Sequence, residues 1–129
     1  MSKITNHGLL RMALLGLALA TFPMSALAGD AAAGKGKYDI FCTTCHGVTG
    51  AGDGPAAMAA NPPPRNFTVG DFKFDADKDG TPGTDADLTL VIKNGAGQYG
   101  GNMLMAPWGG SMSDEDIANV VAYVRSLKK

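Results

Sequence analysis

The strongest hydrophobic pattern lies near the C-terminus, where Ile117, Val120, Val121, Val124 and Leu127 recur at steps of three and four. That is the spacing of one apolar face of an α-helix, with Tyr123 near its edge. Ser113 and Asp116 resemble a capping box with Asp in place of Glu, Asp114 and Glu115 suit the positive end of a helix, and Lys128 and Lys129 the negative end. A second helix is predicted after Thr84, Asp85 and Asp87: Leu88, Val91 and Ile92 form its apolar face and Asn94-Gly95 its stop. A third is predicted early, with Asp30 as N-cap and Tyr38, Phe41, Cys42 and Cys45 at helical spacing. Gly34 and Gly36 weaken it by about 1 kcal/mol each relative to Ala, which fits either a close helix crossing or a frayed start.

Between these helices the pattern fades. Residues 47–83 are mostly irregular, with a possible short helix through Pro55-Ala56-Ala57-Met58-Ala59-Ala60, preceded by Asp53. Asn61-Pro62-Pro63-Pro64-Arg65-Asn66-Phe67 is stiff and can hold Arg65 and Phe67 in place. Gly95 to Trp108 is a pliable loop that delivers methionines into a Pro107-Trp108 turn. So long a structureless stretch is unusual in a compact domain unless the loops cover something other than one another. The fold class is therefore expected to be all-α, with loops around a buried group.

The N-terminus changes the accounting. Lys3 and Arg11 give a positive region, Met12 to Ala20 an apolar run, and Ala26-Leu27-Ala28 a small-residue cleavage site. Residues 1–28 are expected to be a cleaved signal peptide and 29–129 a single domain. The leader is of bacterial type, so the expected address is periplasmic, with no stable membrane insertion after cleavage. The chain contains 11 basic and 12 acidic residues; losing Lys3 and Arg11 leaves the mature part net acidic, which disfavours nucleic acid as a partner. So short a domain buries a modest core, and a flat apolar cofactor would enlarge it.

Cys42-Thr43-Thr44-Cys45-His46 names that cofactor. CxxCH is the attachment signature of a c-type haem: two thiols near one helical face reach the two vinyl groups, and the next residue brings an imidazole to the iron. A Cys42–Cys45 disulfide or a thioredoxin-like dithiol are the rivals, but that redox motif opens a helix after a strand, and here a helix precedes it. Zinc lacks a second ligand pair, since the only other histidine is His7, in the leader. Arg65, the only cation between Lys37 and Lys73, is a candidate partner for the haem propionates. A soft methionine ligand would close the sixth position of the iron, with Met58, Met103, Met105 and Met112 as candidates. Asp75, Asp77, Asp79 and Gly80 reproduce the first half of an EF-hand loop, but position 12 is Ala86; calcium is not expected there, and the turn is read as solvated.

The whole mature chain resembles the class I c-type cytochromes, in particular bacterial monohaem members. The resemblance is carried by GKGKYDIFCTTCHG, GDGPAAMAANPPPRNFT and MAPWGGSMSDEDIANVVAYVRSL. It implies one covalent haem anchored by Cys42 and Cys45, with His46 as proximal ligand and Met105, three residues before Trp108, as distal ligand. Trp108 joins the haem contacts, the Pro55 carbonyl would hold the other imidazole nitrogen, and the first and last helices would cross through Gly34 and Tyr123. The usual Met-Pro pair is here Met105-Ala106-Pro107, with Met103 close by. The implied function is a monomeric periplasmic electron carrier serving larger redox proteins, without bond-making chemistry. The alternative is a haem enzyme or gas sensor with a displaceable methionine.

Overall fold

A computed structural model describes residues 28–129. Among them there are four α-helices and no strand: α1 (Ala31–Phe41), α2 (Thr43–His46), α3 (Asp85–Asn94) and α4 (Asp114–Ser126). Single turns of 3₁₀ helix stand at Ala57–Ala59, Phe67–Val69 and Gly97–Tyr99. The all-α expectation holds; of the helix foreseen through Pro55–Ala60 only the Ala57–Ala59 turn forms. The expected leader, residues 1–28, lies outside the described residues apart from Ala28.

Each long helix starts where its side chains can satisfy free amides. The Asp30 carboxylate accepts from the amides of Ala32 and Ala33. Thr84–Asp87 and Ser113–Asp116 close reciprocal capping boxes at α3 and α4. Gly95, at φ +82°, ends α3 in a conformation that a side chain would strain.

The core lies where α4 meets α1 and α3. Ile117, Val120, Val121 and Val124 are buried with Tyr38, Leu88, Ile92, Phe67 and Met112, so the apolar stripe of α4 faces inward as its spacing requires. The two glycines of α1 separate cleanly. A β-carbon on Gly34 would run into the Asn119 carbonyl of α4, whereas one on Gly36 would meet nothing within 4 Å. Gly34 thus permits the close approach of the helices, and Tyr123 contributes beside it, its ring 5.0 Å from that of Tyr38 in an edge-on arrangement.

Polar contacts fix the remaining segments. The Lys93 ammonium lies 2.6 Å from Asp114, joining the end of α3 to the start of α4. Arg125 donates to Asp85 and to the Gly83 carbonyl while its guanidinium sits 4.8 Å from the centre of the Phe72 ring.

Candidate functional site

The CxxCH segment is the junction of α1 and α2, and its position is set by the loop that follows. The amides of Gly52, Gly54 and Ala56 donate to the carbonyls of His46, Cys45 and Thr44, so this loop folds back and satisfies the end of α2. Only a glycine fits at 54, because a β-carbon there would press on the carbonyls of Thr43 and Thr44. The Tyr38 hydroxyl, buried, donates to the Gly47 carbonyl at 2.8 Å. The short helix is thereby held from both sides.

His46 is buried. Its Nδ1 lies 3.1 Å from the Arg65 carbonyl, and its ring stacks on Phe67 at 4.4 Å between centroids and 18° between planes. The carbonyl selects the Nδ1–H tautomer, leaving Nε2 as the lone-pair donor. Burial pushes the imidazole pKa below its usual value, opposed by the Arg65 carbonyl; the net direction favours the neutral ring that binds metals.

Here the expectation for Pro55 is corrected. The acceptor at Nδ1 is the Arg65 carbonyl, and Pro55 is exposed, lining a separate recess with Thr43, Val48 and Asp53. The reason lies in the backbone bonds just described: they draw residues 52–56 against the carbonyl end of α2 and leave the stiff 61–66 run to pass the imidazole. Sequence reading placed Arg65 at the site for its guanidinium and missed its carbonyl. The proline-rich stretch was the available signal, since a rigid segment can hold an acceptor as well as a side chain.

His46 opens into a cleft with ≈ 1290 Å³ of atom-free space, its open mouth included. Cys42, Cys45, Phe41, Phe67, Phe72, Leu88, Ile92, Met105 and Trp108 line it, together with Arg65. Among the described residues no carboxylate pairs with Arg65, so its charge is available to an anionic group in the cleft. Both cysteines are free thiols. Burial pushes Cys42 up to about 12, with Cys45 adding to the effect; a thiol held protonated is a poor reagent for disulfide exchange. A mostly apolar cleft with two free thiols, an oriented neutral imidazole and a thioether fits a haem in its chemistry and its flat, greasy walls.

The methionines also separate. Met105 is half-buried, packed against the core and lining the cleft, whereas Met103 is 87% exposed and Met58 99% exposed. Met112 is buried in the core. The loop bearing Met105 is pinned to α3: the amides of Trp108 and Gly109 donate to Ile92 and Lys93, and the Ala96 amide to the Met105 carbonyl. Trp108 packs on Phe41, 5.2 Å between centroids, and lines the cleft wall.

Asp87, in the first turn of α3, is fully buried. One carboxylate oxygen accepts from the amides of Ala76 and Asp77, the other from the amide and hydroxyl of Thr84. Burial works against the charge, but those bonds win and hold the group at about 2. Asp87 anchors the acidic turn, where Gly80 donates to Asp75, Asp79 to Asp77 and Thr81 to Asp79. Oxygens of Asp75, Asp77 and Asp87 come within 4.8 Å of one another. The four protein donors already on Asp87 occupy the lone pairs a cation would need.

Comparison with known proteins agrees with this geometry. Residues 31–128 match the model of the family described as Cytochrome c. The chain is 34% identical over 105 residues to cytochrome c-554(547) of Halothiobacillus neapolitanus, covering 78% of this chain and all of that one. It is 34% identical to cytochrome c6 of a Picosynechococcus strain, covering 80% of this chain and 78% of that one. Its backbone superposes with a TM-score of 0.63 and 33% identity on a chain of the Kuenenia stuttgartiensis reducing HAO-like protein complex, covering 78% of this chain but 44% of that longer one. Among the described residues no helix is long and apolar enough to cross a membrane. The match runs from the start of α1 to the end of α4 and takes in CxxCH, its capping loop and the methionine loop alike: the chain belongs to the cytochrome c family, class I, whose chemistry is electron transfer on haem.

Proposed function

We propose that this protein is a periplasmic one-electron carrier with a single covalent haem c, attached through Cys42 and Cys45 and ligated by His46 and Met105. Bound haem supplies an Fe(III)/Fe(II) couple, which a methionine ligand shifts toward higher potential. The chain's own residues then have distinct tasks. The Arg65 carbonyl and the Phe67 ring hold the imidazole in one tautomer and plane. Phe41, Leu88, Ile92 and Trp108 exclude water from the cleft, and the Arg65 guanidinium offers a counter-charge to propionates. With His46 and Met105 both holding the iron, no position on it would be left for a substrate, and the partners would be larger redox proteins met briefly. Residues 1–28 direct export and are removed.

The observation that carries this reading is the single cleft shared by CxxCH and Met105, from which Met103 and Met58 are absent. The exported protein is expected to keep its colour on denaturing electrophoresis, to show the methionine-to-iron charge-transfer band when oxidised, and to lose that band in Met105→Ala but not Met103→Ala. A protein that binds CO when reduced at neutral pH and lacks the band would instead be a ligand-binding haem protein, and the carrier reading would be wrong.

A further inference from the structure

The two loops that serve the opposite ends of the cleft chemistry are far apart in sequence, and one side chain joins them. Asn102 Nδ2 donates to the Pro62 carbonyl at 3.1 Å, across 40 residues of chain. Among the described residues it is the only hydrogen bond between the proline-rich run at 61–66 and the methionine loop at 97–105. The same residue builds the turn that presents Met105: its Oδ1 accepts from the Leu104 amide at 2.8 Å, and its carbonyl from the Met105 amide at 3.1 Å. Pro62, Asn102, Leu104 and Met105 all line the cleft, so the link lies where the cleft is walled by these two loops.

The methionine loop has reason to need it. Gly95, Gly97, Gly100 and Gly101 leave its backbone pliable. Its other hydrogen bonds tie it to the end of α3 and to itself, where Gln98 and Tyr99 meet Asn94, Gly101 and Met105 meet Ala96, and Trp108 meets Ile92, and none of them reaches the 61–66 run. Met103 and Leu104 between them are exposed and contribute little packing. On the other side, the 61–66 run is rigid and carries the Arg65 carbonyl that orients His46.

We propose that Asn102 is a positioning residue: a latch that fastens the flexible methionine loop to the rigid loop behind His46, keeping the Met105 thioether seated against displacement by outside ligands. This rests on Met105 being the distal ligand. The latch and the turn are separate functions of one side chain. Asn102→Ser keeps a short acceptor for the Leu104 amide, as serine does in such turns, but cannot reach Pro62; Asn102→Ala removes both bonds.

The test uses the haem-loaded, oxidised protein and follows loss of the methionine-to-iron band on mixing with imidazole or cyanide, and on raising the pH. Losing one hydrogen bond of ordinary strength should speed ligand entry about fivefold. Both Asn102→Ser and Asn102→Ala are expected to show this, and to lose the band at lower pH, while the reduced-state spectrum stays that of wild type. If only Asn102→Ala changes, the turn and not the latch holds Met105, and the inference fails; it fails equally if neither changes. Met105→Ala in parallel separates the two readings. Should that variant keep the band, the ligand assignment falls and takes the latch with it; should it lose the band while Asn102→Ser behaves as wild type, the latch alone falls.

Discussion

The Arg65 carbonyl lies 3.1 Å from Nδ1 of His46, so this arginine meets the site through its backbone, while under the proposed function its charge faces the haem propionates. The two contributions can be pulled apart. Arg65→Ala retains a carbonyl at the same place and should leave the visible spectrum of the haem-loaded protein unchanged. It removes a positive charge that disfavours the oxidised iron, so the midpoint potential should fall by roughly 20–60 mV, on the scale where 59 mV is tenfold for one electron. A redox titration of both proteins at low salt checks the sign.

The contrast between Gly34 and Gly36 gives a paired test of the helix crossing. Gly34→Ala drives a methyl group into the Asn119 carbonyl and should cost about 1–3 kcal/mol of stability, as overpacking does. Gly36→Ala meets open space and should gain about 0.5–1 kcal/mol from helix propensity. Thermal or denaturant unfolding of the two variants should therefore move in opposite directions.

Phe67 stacks on the His46 imidazole and belongs to the core. Phe67→Ala should cost about 3–5 kcal/mol, the usual range for a buried aromatic. It should also broaden the haem-ligand signals in magnetic resonance of the oxidised protein, because the ring that fixes the imidazole plane is gone. Phe67→Leu should restore most of the stability but not the sharp signals.

Asp87 sets an acid limit. Its folded pKa, about 2, lies below the ordinary carboxylate value, so its stabilising contribution is fully present above about pH 4. That contribution is lost as the pH falls through the folded value. Asp87→Asn cannot accept all four hydrogen bonds and should lower the Tm by more than about 5 °C at pH 7. The difference between variant and wild type should shrink between about pH 4 and pH 2.

Local chemistry was readable wherever it depended on neighbours along the chain. Asp30, Thr84 and Ser113 cap the helices expected of them, because a cap and its amides lie within three residues. The inward stripe of α4 followed from its period, and CxxCH announced a haem because both thiols and the imidazole fall within five residues. Arg65 and Trp108 both line the cleft.

Relations across the fold were a different matter. Nothing in the residues told Gly34 from Gly36, since which one lies under Asn119 depends on the register of two helices separated by most of the domain. Met105 and Met103 are equally good thioethers, and only the loop's attachment to α3 turns one into the cleft and leaves the other exposed. The acceptor behind His46 could not be read at all, because every residue carries a carbonyl and the one that matters is chosen by the path of the backbone. The sequence by itself thus determined the helices, their caps and the cofactor. The tertiary structure decided which glycine lies at the helix crossing, which methionine faces the cleft and which carbonyl meets the imidazole, since these depend on distances between segments that no local preference encodes.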